Sequence, residues 1–162
     1  MQFLWFERLR RIVSLERFLR VAGSGLILVA ALKGVSLYQE IYLFELKDPL
    51  LKFANNWQMT FASALTEAVV GLFLIWGRSA TRRLLVLGTL SHLFVLYRVG
   101  LLVVGYDQPC SCYGTLLEWM PERVEDWIPT FFGGFLLFML AGTYVFGAWL
   151  FKQREVKSQG GT

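Results

Sequence analysis

Four apolar stretches, roughly Val21–Phe44, Trp57–Trp76, Leu84–Gly105 and Ile128–Phe151, dominate the chain. Each meets the length of about 20 residues that a helix needs to cross a hydrocarbon core of ~30 Å. Lipid offers the backbone no hydrogen bonds, so segments of this length satisfy their own N–H and C=O groups by folding as helices. The expected fold is therefore all-α, an integral membrane four-helix bundle with antiparallel neighbours joined by short loops. Composition agrees, since a 162-residue chain that is 56% hydrophobic is too apolar for a soluble core of that size.

Four crossings put both termini on one side, and the basic residues say which. Arg8, Arg10, Arg11, Arg17 and Arg20 precede the first span, Arg78, Arg82 and Arg83 join the second to the third, and Lys152, Arg154 and Lys157 follow the fourth. The other face carries Lys47, Lys52 and Arg123 among the acids Glu40, Glu45, Asp48, Asp107, Glu118, Glu122, Glu125 and Asp126. The positive-inside rule makes the basic face cytoplasmic, which gives an N-in/C-in protein of the bacterial inner (cytoplasmic) membrane. Trp57, Trp76, Trp119, Trp127 and Trp149 fall near span ends, where an indole prefers the headgroup layer. The net charge of +4 invites a nucleic-acid reading, but these cations flank apolar runs as a topology signal does, and no nucleic-acid partner is expected.

Residues 1–20 form a basic segment, expected on the cytoplasmic side, with Trp5, Leu9, Ile12, Val13 and Leu19 along one helical side and Glu7, Arg10, Arg11, Ser14 and Arg17 along the other. A helix lying on anionic lipid and a plain extension of the first span both fit. The charged start and the lack of a small-x-small cleavage site predict that the first span stays as an anchor. The spans form one domain over 21–151, and the tail 152–162, ending Ser-Gln-Gly-Gly-Thr, is expected to be disordered. Small residues mark where backbones could approach: Ala30 and Gly34, then Ala64, Ala68 and Gly71, then Gly134, Ala141 and Ala148.

Lys33, Glu67 and Arg98 lie far from the span ends, and each costs at least ~2.5 kcal/mol at a helix centre. At 1.5 Å per residue they stand about 18, 14 and 21 Å above the cytoplasmic edge, so their side chains can converge in one buried cluster. That cluster carries one positive charge more than its carboxylate neutralises. A quinone oxygen, a water, a lipid headgroup or a shifted lysine could meet the excess, and so could a role confined to locking the helices in register. His92 has no second ligand in sight and reads as a packing or hydrogen-bonding residue.

Cys110 and Cys112 are the entire thiol inventory, just beyond the outer end of the third span, between Pro109 and Gly114. Two thiols cannot make a four-cysteine zinc site. On the oxidising side of a membrane they are candidates for disulfide exchange, and the small ring closed by one intervening residue makes the bond exchangeable. An inert disulfide that shapes the loop and a two-thiolate Cu(I) site remain alternatives. A relay to a quinone normally uses a second cysteine pair, so this chain needs either direct thiol–quinone chemistry or a separate thioredoxin-like partner.

Three segments share a further pattern: Leu-Ile-Leu-Val-Ala-Ala-Leu-Lys-Gly at 26–34, Leu-Thr-Glu-Ala-Val-Val-Gly-Leu-Phe-Leu at 65–74 and Pro-Cys-Ser-Cys-Tyr-Gly at 109–114. Together they resemble the DoxX-like membrane proteins, and within them the MauE branch associated with methylamine utilisation. The resemblance covers essentially all four spans; Arg98 and the basic amino-terminal segment have no counterpart in it. It implies an accessory in periplasmic disulfide formation or in maturation of an exported client, beside a thioredoxin-like periplasmic protein, with methylamine dehydrogenase as the client of the MauE branch. A noncatalytic assembly or scaffold subunit and a small-molecule or Cu(I) carrier are the rival expectations.

Overall fold

The computed structural model describes residues 2–38, 45–106 and 127–159, with side chains over 14–38, 45–106 and 130–152. These residues form four helices: α1 (Gln2–Tyr38), α2 (Asn56–Trp76), α3 (Ala80–Val103) and α4 (Trp127–Gln159). Each contains a span long and apolar enough to cross a membrane, at Ser14–Tyr38, Asn56–Trp76, Ala80–Val103 and Thr130–Lys152. By length and composition the chain is a multi-pass membrane protein.

Local chemistry sets the helix ends. Asn55 caps α2, its side chain accepting from the Gln58 N–H at 2.9 Å while the Gln58 side chain accepts from the Asn55 N–H at 3.2 Å. This reciprocal box satisfies donors that a helix start leaves orphaned. At the other end Gly77 closes α2 by donating to the Phe73 carbonyl at 2.8 Å. Trp57 and Trp76 stand exposed near the two ends of α2, Trp57 stacked on Phe61 with ring centroids 5.4 Å apart. Nineteen residues at 1.5 Å separate these indoles by about 29 Å, which matches a bilayer core.

Among the described residues the first span covers Ser14–Tyr38, and no break separates residues 2–20 from it because α1 is one helix from Gln2 onward; the expected end at Phe44 lies outside the described residues. Glu16 is accommodated there by an ion pair to Arg83. The tail expected to be disordered is helical to Gln159, since Lys-Gln-Arg-Glu-Val-Lys at 152–157 consists almost entirely of good helix formers and no glycine intervenes before Gly160.

α1 packs mainly on α2, and α3 mainly on α4. The α1–α2 backbones approach closely at Gly23 and Gly71, where a Cβ built on either glycine would lie 2.8 Å from the other's carbonyl oxygen. Ala30 and Ala64 are buried as their size suggested, whereas a Cβ on Gly34 or Gly134 would meet nothing within 4 Å. The apolar core gathers Leu15, Phe18, Leu19, Ala22 and Leu26 of α1 with Leu74, Leu84, Leu87, Leu90 and Met139. It therefore sits toward the end of the bundle where α2 turns into α3. Arg83, only 3% exposed, ties that end together by pairing with Glu16 and donating to the Leu74 carbonyl at 2.9 Å.

Candidate functional site

Beyond this core the two helix pairs leave a cavity of about 690 Å³ on the side of the 45–55 loop. Its polar groups come from three helices and the loop: Lys33 on α1, Asp48 in the 45–55 loop, Asn56, Thr60, Ser63 and Glu67 on α2, and Tyr97 and Arg98 on α3, with Tyr106 just beyond α3. The Gly23–Gly71 contact sets their register, because Glu67 is one turn from Gly71 and Lys33 about three turns from Gly23. Lys33 Nζ consequently meets Glu67 Oε1 at 2.5 Å and donates to Ser63 Oγ at 2.5 Å. Ser63 lies one turn before Glu67 and donates to the same carboxylate oxygen at 3.4 Å. The ammonium also stands 5.6 Å from the centroid of the Phe94 ring, within range of a cation–π attraction. Glu67 is only 2% exposed, and its Oε2 has no hydrogen-bond partner among the described residues.

A second polar centre lies at the loop. Asp48 is 1% exposed, and its Oδ1 accepts from the N–H groups of Leu50 and Leu51 at 2.9 and 2.7 Å. Its Oδ2 accepts from the Tyr97 hydroxyl at 2.5 Å, which joins the loop to α3 beside the cavity. The backbone repeats the fold of the loop, with Asp48 N–H donating to Ala54 and Asn56 N–H to Leu46, both at 2.9 Å. Tyr97→Phe removes a side-chain donor to Asp48 and is expected to cost about 1.5–3 kcal/mol, the range for a hydrogen bond to a charged group. Thermal unfolding in detergent measures it; an unchanged midpoint would show that the backbone donors alone hold Asp48.

The expected Lys33, Glu67 and Arg98 cluster is thus brought to one cavity, with the direct ion pair between Lys33 and Glu67 and Arg98 on the α3 wall. Cys110 and Cys112 lie outside the described residues. Ser63, Asp48 and Tyr97 escaped the sequence reading. The four-residue step from Ser63 to Glu67 was a usable signal, since it puts both on one helical face. His92 bonds rather than ligates: its Nδ1 and the Gly88 carbonyl are 2.7 Å apart, as are its Nε2 and the Tyr144 hydroxyl. A carbonyl only accepts, so Nδ1–H donates to Gly88, and Nε2 shares a hydrogen bond with the Tyr144 hydroxyl. No group of three metal-ligating side chains occurs among the described residues.

Comparison with known proteins found no matching family model, no matching curated protein and no matching solved structure.

Proposed function

We propose that this chain is a thiol–disulfide accessory of the bacterial inner membrane, an antiparallel N-in/C-in bundle whose Cys110–Cys112 pair exchanges disulfides on the outer face. The observation that carries the reading is the position of Tyr106. It lines the cavity floored by Lys33 and Glu67, and Cys110 follows four residues later. At ~3.6 Å per residue, the chain lets the Cα of Cys110 lie at most about 14 Å, and that of Cys112 at most about 22 Å, from that of this lining residue. The pairing of Gly23 with Gly71, and of Lys33 with Glu67, supports antiparallel α1 and α2, because the numbering rises on one as it falls on the other. The bias of arginine and lysine supports the orientation.

In exchange, one sulfur of the disulfide is attacked by a thiolate of the partner, a mixed disulfide forms, and the second sulfur leaves as a thiolate. The partner is an exported thioredoxin-like protein or a client directly. Residues 26–34, 65–74 and 109–114 support the DoxX-like, MauE-branch assignment and, through it, a role in maturing an exported protein such as methylamine dehydrogenase.

Trapping tests this reading. In Cys110→Ser and Cys112→Ser single variants the remaining thiol cannot be resolved internally, so one of them is expected to accumulate a reducible covalent adduct with an exported protein. If neither variant forms an adduct and the wild-type pair stays oxidised in mild reductant, the cysteines only clip a loop. A scaffold role is the second reading, favoured by α4: only 6% of its most apolar window is buried, against 22–33% in the other three spans, which leaves a broad face for another membrane helix.

A further inference from the structure

One side of α2 changes character halfway along the helix. Asn56, Thr60, Ser63 and Glu67 follow one another at steps of four, three and four residues, the spacing of a single helical side, and all four line the cavity. Past Glu67 the same side carries Gly71 and Leu74, and Leu74 belongs to the apolar core. Eleven residues at 1.5 Å each put Glu67 about 16 Å below Asn56, roughly half of a ~30 Å hydrocarbon core. Polar side chains at such depths turn to a bundle interior or to a water-filled cavity, because lipid penalises them. The volume of about 690 Å³ is many times the roughly 30 Å³ that one water occupies in the liquid. Partners for water line it: a hydroxyl has one donor and two acceptor sites, so Thr60 and Ser63 can serve a water as well as a protein group. Lys33 has three N–H donors, of which Ser63 and Glu67 take two. Glu67 Oε2 is sealed from the cavity, so Lys33 is the member of the ion pair that water meets.

We propose that this cavity is a water-filled vestibule, entered from the side of the 45–55 loop and closed at mid-membrane, through which small hydrophilic solutes reach Lys33 and go no farther. The ladder from Asn56 to Glu67 forms one wall, and Tyr97 and Arg98 of α3 stand on another. The closed end follows from the packing, since Leu26, Leu74, Leu87, Leu90 and Met139 are each at most 5% exposed and pack as one cluster. Water on one side lowers the cost of holding Lys33 and Glu67 inside the bilayer. It also means that the ammonium exchanges its protons with a single compartment, the one that the loop faces. Under the N-in/C-in orientation that compartment is the exterior, and the cysteines play no part.

Thiol labelling of the full chain in sealed vesicles tests the vestibule, with single cysteines introduced into a Cys110→Ser/Cys112→Ser background. The probe is a charged, membrane-impermeant methanethiosulfonate, which attacks the thiolate and therefore reads water, because apolar surroundings suppress that form. Thr60→Cys and Ser63→Cys are the near-isosteric test variants, and either decides the outcome if the other does not fold. Lys52→Cys, exposed in the loop, marks the side of entry. Leu65→Cys reports lipid, since Leu65 is 56% exposed only two residues from Ser63, and Leu74→Cys reports the closed end. Both test variants are expected to react from the same side as Lys52→Cys and at least about tenfold faster than Leu65→Cys and Leu74→Cys, the effect of one unit or more of thiol pKa. Test rates no higher than that of Leu65→Cys would mean a dry or lipid-filled cavity and would overturn the vestibule. Ready labelling of Leu74→Cys from the loop side would overturn its closed end. Labelling of Thr60→Cys, Ser63→Cys and Lys52→Cys all from the cytoplasmic side would uphold the vestibule and overturn the N-in/C-in orientation.

Discussion

Lys33→Met is expected to destabilise the bundle by about 3–5 kcal/mol, the cost of removing one partner from a buried ion pair. The physical reason is that Glu67 is 2% exposed, with Lys33 and Ser63 meeting one oxygen and no described residue meeting the other. Without the ammonium, the buried carboxylate loses its counter-charge and one of the two donors to its Oε1. The double variant Lys33→Met/Glu67→Leu is expected to recover most of the loss, because a packed apolar pair of similar volume is often as stable as the ion pair it replaces. Unfolding by titration with a denaturing detergent reads both. A single variant within 1 kcal/mol of the parent on the scale expected for surface changes would mean that the pair does not hold the helices. The exchanged pair Lys33→Glu/Glu67→Lys extends the test: folding restored without thiol–disulfide activity points to a functional role, and restoration of both points to register.

Gly71→Leu is expected to cost about 3 kcal/mol, the upper end for overpacking. A Cβ at Gly71 would stand 2.8 Å from the Gly23 carbonyl oxygen and 3.3 Å from the Ile27 nitrogen, so a backbone and not a flexible side-chain tip has to yield. Moving α1 away from α2 also lengthens the Lys33–Glu67 pair, and the variant should therefore weaken that ion pair together with the packing. Gly34→Ala is the control on the same helix. Its Cβ meets nothing within 4 Å, and alanine is the better helix former by about 1 kcal/mol, so stability should hold or rise. Similar losses at both glycines would contradict the close approach of α1 and α2.

These two glycines also show what a linear reading can reach. Span number was legible because the bilayer imposes a length on every crossing, and Lys33 and Glu67 were legible because lipid penalises an unpaired charge wherever it falls. Small residues carry no such penalty. Gly34 and Gly23 are equally small, and only the rotation of α1 against α2 decides which one touches a neighbour. Arg83 shows the same gap in another form: counted as a topology charge, it is buried and bonded to Glu16 and Leu74. Asp48 was likewise counted with the acids of its loop, although it organises Leu50, Leu51 and Tyr97. A charge count records sign and position along the chain, and both residues act through contacts across it.

The backbone touch between Gly23 and Gly71 gives the two walls of the cavity different evolutionary freedom. On the α1–α2 side almost any replacement at the contact moves Lys33 and Glu67 together, so inheritance there is all or nothing. The α3–α4 side contributes mostly side chains such as Phe94, Phe132 and Phe135, which can change one at a time. Descendants of this chain can therefore reshape what the chamber admits by drifting along one wall, while the charged pair behind it passes on unaltered.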